Sequence, residues 1–232
     1  MKQTRMLLTI LVSIIIISCN EDKKIPVENL KKETISAKWN TSTPNDYVSF
    51  EFNMDGNYIA VKETETKSTD NRNIFFGTYT IIDNATISLS DLGTLEVIEV
   101  NDNSMNFIIN GNNETIINAS KQKEIETSDN TKLLCRTWNL VSLDDNEISN
   151  FIVLFSGAGT YFVDAVVEGE QITSLGTWTW CNSDENKLAF TIEDELDCNG
   201  IQIFKEIQLT QNSFTAIDME NGKPQAVKME AN

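Results

Sequence analysis

The chain writes one seven-residue pattern twice. Residues 52–58 read FNMDGNY and residues 155–161 read FSGAGTY, both Phe-x-x-x-Gly-x-Tyr. One such match is weak, but a series of matches in the same order is not. Trp39 and Trp138 lie 99 residues apart, the two heptapeptides 103 apart, and GTYT at 77–80 returns 99 residues later as GTWT at 176–179. IEVNDNSM at 98–105 returns as IQLTQNSF at 207–214, and Asn110-Gly111 returns as Asn221-Gly222. The chain therefore reads as a tandem duplication of a unit of roughly 90 residues, within the usual size of a domain. The copies fall at 34–119 and 133–232, and the polar stretch SKQKEIETSDNTK at 120–132 is the predicted linker.

Each copy predicts strands. YVSFEFN places Val48, Phe50 and Phe52 on one face and Ser49 and Glu51 on the other, the period-two pattern of a half-buried strand. IQIFKEIQL places Ile201, Ile203, Ile207 and Leu209 on one side, interrupted by Lys205. Asp55-Gly56 and the Asn-Gly pairs read as hairpin turns, where glycine supplies positive φ at no steric cost. The repeated heptapeptide is then a strand end, a turn and the start of the returning strand. No segment shows a helical period. About eight short strands per copy, each about six residues long, predict an all-β fold of two tandem small antiparallel up-and-down β-barrels.

Together these landmarks resemble the lipocalin-like domains of bacterial lipoproteins. The resemblance rests on an early Trp followed by a strand (TWNLVSL from Thr137), then Phe-x-x-x-Gly-x-Tyr, then Gly-Thr-[Tyr/Trp], then a late hairpin. It covers both copies, and the second matches better. Lipocalins proper have Gly two residues before the early Trp, where this chain has Ala37 and Arg136. They also carry a late Arg packed on that Trp, whereas the arginines here beyond Arg5 are Arg72 and Arg136. The resemblance implies a barrel, in some members with an apolar cavity, and no catalytic apparatus.

The first residues predict an address. Lys2 and Arg5 head an apolar run at 6–18 that is polar only at Thr9 and two serines. A spanning helix needs about 20 residues, so this run reads as the core of a secretory signal at 1–18. Ile16 is too large for the −3 position of an ordinary signal peptidase site. IISC instead resembles a bacterial lipobox, which implies cleavage before Cys19, a diacylglycerol and palmitate on Cys19, and a tether at 19–33. Each buried CH₂ of an acyl chain contributes about 0.8 kcal/mol, so two or three chains hold a protein on a membrane unaided. The expected place is the outer membrane. Glu21 and Asp22 resemble the surface-export signals of some outer-membrane lipoproteins, and a plain charged linker explains them as well, so the periplasmic and external faces stay open.

Charge narrows the partners. The chain has 18 basic and 35 acidic residues; without Lys2 and Arg5 the balance is 16 against 35, a net of −19. Such a surface repels phosphate backbones, so no nucleic-acid partner is expected. There is no histidine, which removes the commonest general base and the commonest transition-metal ligand. ELDCNGIQIFKE places Glu195, Asp197, Asn199, Gly200 and Glu206 at EF-hand spacing, but the first position is Glu, the eighth is Gln202, and the flanks are strand-like. It reads as a turn entering a strand; a looser acidic cation site at Glu193, Asp194, Glu195 and Asp197 stays open. No Gly-x-Ser-x-Gly, P-loop or Cys-x-x-Cys is present. Neither catalytic residues, a metal centre nor a cofactor is expected.

The leading function is a non-catalytic, lipid-anchored envelope protein that binds a small apolar ligand or an envelope partner at a barrel mouth. The alternative is a structural or adhesive surface module. Trp39 and Trp138 read as core plugs, and bulky fillers (Phe50, Phe52, Tyr58, Tyr79; Phe155, Tyr161, Trp178, Trp180) leave any pocket shallow. Tyr161, Trp178 and Trp180 are the candidate ligand residues, at the mouth of the second barrel. With Cys19 acylated, Cys135, Cys181 and Cys198 remain. A seven-residue strand of roughly 23 Å separates Cys181 from Cys198 in a strict meander, beyond disulfide reach. The meander points to Cys135–Cys181, or to no bridge.

Overall fold

The computed structural model describes residues 30–42, 46–63, 72–109, 116–167, 169–192, 195–219 and 222–232. The signal, Cys19, Asn110-Gly111 and Asn221, Glu193 and Asp194 lie outside the described residues. Helix α1 (Lys32–Ile35) precedes strands β1 (Lys38–Ser42), β2 (Tyr47–Phe52), β3 (Asn57–Glu63), β4 (Arg72–Ile81), β5 (Thr86–Leu89), β6 (Gly93–Val100), β7 (Ser104–Ile109) and β8 (Ile117–Lys121). Helix α2 (Asp129–Leu134) precedes β9 (Thr137–Leu143), β10 (Asn146–Glu147), β11 (Phe151–Phe155), β12 (Thr160–Val167), β13 (Glu170–Trp180), β14 (Lys187–Thr191), β15 (Ile203–Leu209), β16 (Ser213–Asp218) and β17 (Gln225–Ala231). Both copies are closed eight-stranded antiparallel barrels with sequential strand order: β1 pairs β8 in one, β9 pairs β17 in the other, and β10 adds a short edge to β9.

The repeated heptapeptide makes the same turn in both barrels. Gly56 (φ 94°) donates its N–H to the carbonyl of Asn53 and accepts from Tyr79 N–H; Gly159 (φ 79°) repeats this with Ser156 and Trp178. Positive φ is the reason both are glycine. The turn thus fastens each β2–β3 type hairpin to the next strand. Strand faces then fill the interiors. Phe50, Phe52, Tyr58 and Tyr79 form the first core with Trp39 and Phe107. Phe155, Tyr161, Trp178 and Phe214 form the second with Trp138, and Trp180 packs against it.

Two short helices, unexpected from the sequence, close the barrels. Ile35 and Leu134 end them, each fully buried. Their carbonyls accept the indole N–H of Trp39 (2.8 Å) and Trp138 (2.9 Å). Four and six residues are too few to write a helical period. The Ser128 hydroxyl caps α2, accepting from Thr131 N–H at 2.9 Å, and α2 begins inside the predicted 120–132 linker while β8 ends inside it. Strand β15 departs from strict alternation. A bulge between Lys205 and Gln208, with Glu206 at φ 56°, turns both Phe204 and Ile207 into the core and leaves Ile201 outside the strand and exposed.

The cysteine pairing also differs from expectation. Cys181 is bridged to Cys198, their Cα atoms 5.4 Å apart, and Cys135 is a free thiol, so the Cys135–Cys181 expectation is corrected. The segment after β14 folds back to the start of that strand. Cys181 N–H donates to the Lys187 carbonyl, and Lys187 Nζ donates to the Cys198 carbonyl. The strand order survives, because β14 still pairs β15.

The barrels pack side by side through outward faces of β2–β4 and β11–β13. Ile59, Val61, Leu154 and Phe162 are buried there, with Val48, Ile74, Phe76 and Leu175 around them, and the rings of Phe76 and Phe162 lie 4.7 Å apart. The repeat spacing makes Phe162 the counterpart of Ile59, and Leu175 that of Phe76. The same positions meet from both sides, as in an isologous two-fold contact.

Candidate functional site: the seam between the barrels

Polar bonds along the seam follow the same local two-fold. Asn57 Nδ2 donates to Thr137 Oγ1 (2.8 Å), which donates to Asp55 Oδ2 (2.7 Å). Lys38 Nζ donates to Thr160 Oγ1 (3.2 Å), which donates to Glu51 Oε2 (2.6 Å). Thr137 is the counterpart of Lys38 and Thr160 that of Asn57, so each Thr relays from an amide or ammonium to a carboxylate. Thr137 N–H also reaches Asp55 Oδ2, at 3.1 Å, and Gln122 Nε2 donates to the Ala158 carbonyl at 2.8 Å.

Two adjoining cavities that share lining residues lie in this seam. The larger, of about 550 Å³, runs between Met54 and Asp55 on one barrel, Glu124 and Ile125 of the connecting segment, and Thr131, Lys132, Cys135 and Arg136 at the α2 end of the other. The smaller, of about 170 Å³, is lined by counterpart pairs: Ser36 and Cys135, Asn53 and Ser156, Met54 and Gly157, Asp55 and Ala158. It straddles the local two-fold. Glu51 also lines it. That residue is 2% exposed, and its Oε1 has no hydrogen-bond partner among the described residues. Asn53 Nδ2 and Arg136 Nε are likewise buried without a partner there. Buried polar groups in native proteins are nearly always paired, so Glu51 Oε1 and Asn53 Nδ2 at the smaller cavity, with Arg136 Nε beside the larger, mark a place built for something polar.

Both signs of charge meet at the seam, Glu51, Asp55 and Glu124 with Lys38, Lys132 and Arg136. Burial pushes the Cys135 thiol up to about 12; the carboxylates of Glu51 and Glu124 add to the rise and Arg136 opposes it. A thiol so raised holds little of the thiolate form, the nucleophilic one, near neutrality. Arg136 lies over the Trp138 ring, 5.6 Å from its centroid, and Nη1 donates to the Gln211 carbonyl.

The residues expected at a barrel mouth lie elsewhere. Tyr161 and Trp178 are core residues, 7% and 1% exposed. Trp180 stands edge-on to Trp178 and donates Nε1–H to Thr131 Oγ1 at 2.9 Å, so it props α2. None of the three lines either seam cavity. Among the described residues no group of three or more Cys, Asp or Glu is placed to hold a metal ion, and Asp197 instead accepts from Asn199 N–H in a turn. The period-two pattern of YVSFEFN puts Glu51 on the outward face, where solvent is expected. The available signal was its counterpart: Leu154, with Phe162 and Leu175, puts apolar residues on outward strand positions, as a covered outer face does. No protein-family model, curated protein or solved structure matches this chain.

Proposed function

We propose that the chain is a lipid-anchored cell-envelope protein, held at the outer membrane through Cys19, that binds a small ligand in the seam between its barrels and catalyses nothing. The observation that carries the binding reading is the contrast between barrel cores packed with aromatic side chains and the cleft of about 550 Å³ between the barrels. That size falls within the range of small-molecule sites, which favour domain interfaces. Met54 and Ile125 give it apolar surface, and Asp55, Glu124, Lys132 and Arg136 give it charge. The anchor reading is supported by IISC after the short apolar run. The non-catalytic reading is supported by the lack of histidine and by the raised Cys135 thiol.

The counterpart pairs supply the test. Gly157 faces open space, while its counterpart is Met54. Gly157→Met fills the cleft without a backbone conflict. The full chain is screened against small polar and apolar compounds by thermal shift. Ligands that stabilise the native chain should lose their effect on Gly157→Met, whose own melting temperature stays within a few degrees; ligands retained by the variant place binding elsewhere. For the anchor, Cys19→Ala should move the chain from the membrane to the soluble fraction.

The adhesive reading draws on the β12–β13 hairpin tip, where Val166, Val167 and Ile172 are 48%, 45% and 44% exposed. If Val167→Lys abolishes attachment of cells to a surface while Gly157→Met does not, that reading replaces the seam.

A further inference from the structure

We infer that the smaller seam cavity is an ammonium pocket in which Glu51 is the counter-ion of a small aliphatic amine. The inference rests on the seam as the binding site and names what it takes. The local two-fold gives the main observation. At the counterpart of Glu51 stands Leu154, fully buried against Ile59, Val61 and Phe162. Packing of the seam is therefore met by an apolar side chain. A carboxylate at the same depth carries a desolvation penalty, and replacing such a group with a hydrophobe of similar volume is often neutral or stabilising. Glu51 has partial compensation: Oε2 accepts from Thr160 Oγ1 at 2.6 Å. Its other oxygen, Oε1, has no partner among the described residues. Lys38 sits across the ladder from Glu51 yet gives its ammonium to the Thr160 hydroxyl.

The missing partner is a donor, and a charged one matches best, since hydrogen bonds between ions are the strong ones. The surroundings agree with a cation. Burial does most to raise the Cys135 thiol, and the carboxylates of Glu51 and Glu124 raise it further against the opposing Arg136. Size limits the group. At about 30 Å³ per water-sized unit, a cavity of about 170 Å³ holds an ammonium on a short alkyl chain. Anything longer continues into the larger cleft, which shares Met54, Asp55, Glu124, Cys135 and Gly157 with it.

The test uses n-butylamine, with n-butanol and butyrate as neutral and anionic matches. Each is titrated into the ¹⁵N-labelled full chain while amide shifts of the seam are followed. Butylamine should bind at least tenfold more tightly than butanol, and butyrate should not bind. Glu51→Gln should lose at least tenfold of the amine affinity. Glu51→Leu, which copies Leu154, should abolish the amine preference with a melting temperature equal to or above that of the parent. Butylamine binding no tighter than butanol overturns the inference, as does unchanged amine binding by Glu51→Gln or Glu51→Leu. If butanol alone shifts the seam amides and Gly157→Met removes that shift, the amine pocket is wrong and the seam site stands. If no probe moves the seam, both are wrong.

Discussion

The two barrels share a plan and differ in what holds them. Each closes its base with a short helix whose last carbonyl takes a tryptophan N–H, and each fastens its first hairpin with a left-handed glycine. These are the devices the duplication kept. Around them the second barrel has a disulfide and an Arg over its plug tryptophan, where the first has Ala37. The seam has apolar contacts from both barrels but sets Glu51 opposite its counterpart Leu154. Shared features therefore report folding, and unshared ones report where selection for something else is to be sought.

The sharpest break in the comparison is the disulfide. Cys181 and Cys198 enclose a 17-residue separation, and nothing in the first barrel corresponds. On the chain-entropy account, a loop of that size contributes about 3 kcal/mol. Changing both cysteines to serine should lower urea-unfolding stability by that order, with hydrogen exchange rising first in β14 and β15 and not in β5 and β6. Next is the conserved-looking glycine of the Gly-Thr-aromatic motif. A Cβ on Gly176 would meet the Thr191 backbone carbonyl oxygen at 1.8 Å, whereas on Gly77 it would meet the movable Ser90 Oγ at 2.2 Å. Gly176→Ala should therefore cost about 2–3 kcal/mol by overpacking, and Gly77→Ala clearly less. Equal losses in the denaturation curves would show that the two strands crowd alike.

Where the barrels agree, the same change should give the same loss. Trp39→Phe and Trp138→Phe each remove an indole hydrogen bond to a helix-end carbonyl and leave a gap, for about 2 kcal/mol by thermal or urea unfolding. A pair of values differing by more than twofold would mean that Arg136 does more than lie over the ring. The smallest effect is alkaline. The Cys135 thiol is held up to about 12 from an ordinary value of 9.0, so the unfolded chain releases its proton first as pH rises. Stability from this group is whole below pH 9 and is lost between pH 9 and about 12. The phenols of Tyr58 and Tyr79 are raised by burial and push the same way. Cys135→Ser, which copies Ser36, should make the decline from pH 9 to 10 shallower by about 1 kcal/mol, read from urea midpoints.

Much of the fold was legible because duplication writes each signal twice. The turn glycines, Phe50 and Phe52 of the period-two strand and the aromatic fillers took the places their pattern implied, whereas a bulge between Tyr47 and Ser49 sets Val48 on the outer face with Ile59 and Val61, and the meeting of the barrels buries Ser49 and Glu51. What was not legible follows from physics that leaves no period. Helices of four and six residues have too few turns to show a stripe. The bulge at Glu206 breaks the alternation on which reading 201–209 depended. The Cys181–Cys198 bridge depends on a loop folding back, and loop paths are not written in hydrophobic patterning. The site was the least legible part. A seam is made by two outer faces meeting, and Glu51 alone looks like any solvated strand residue until Leu154 is set beside it.

The local two-fold has a consequence for valency. Two separate, identical subunits can only bring identical residues to their common axis, so a cavity there must present a symmetric wall. Tying the copies into one chain lifts that restriction. Met54 can face Gly157, Asp55 can face Ala158, and one acidic side chain can stand where its twin is aliphatic. An asymmetric guest bound there would find one orientation instead of two equivalent ones, with one such place per polypeptide.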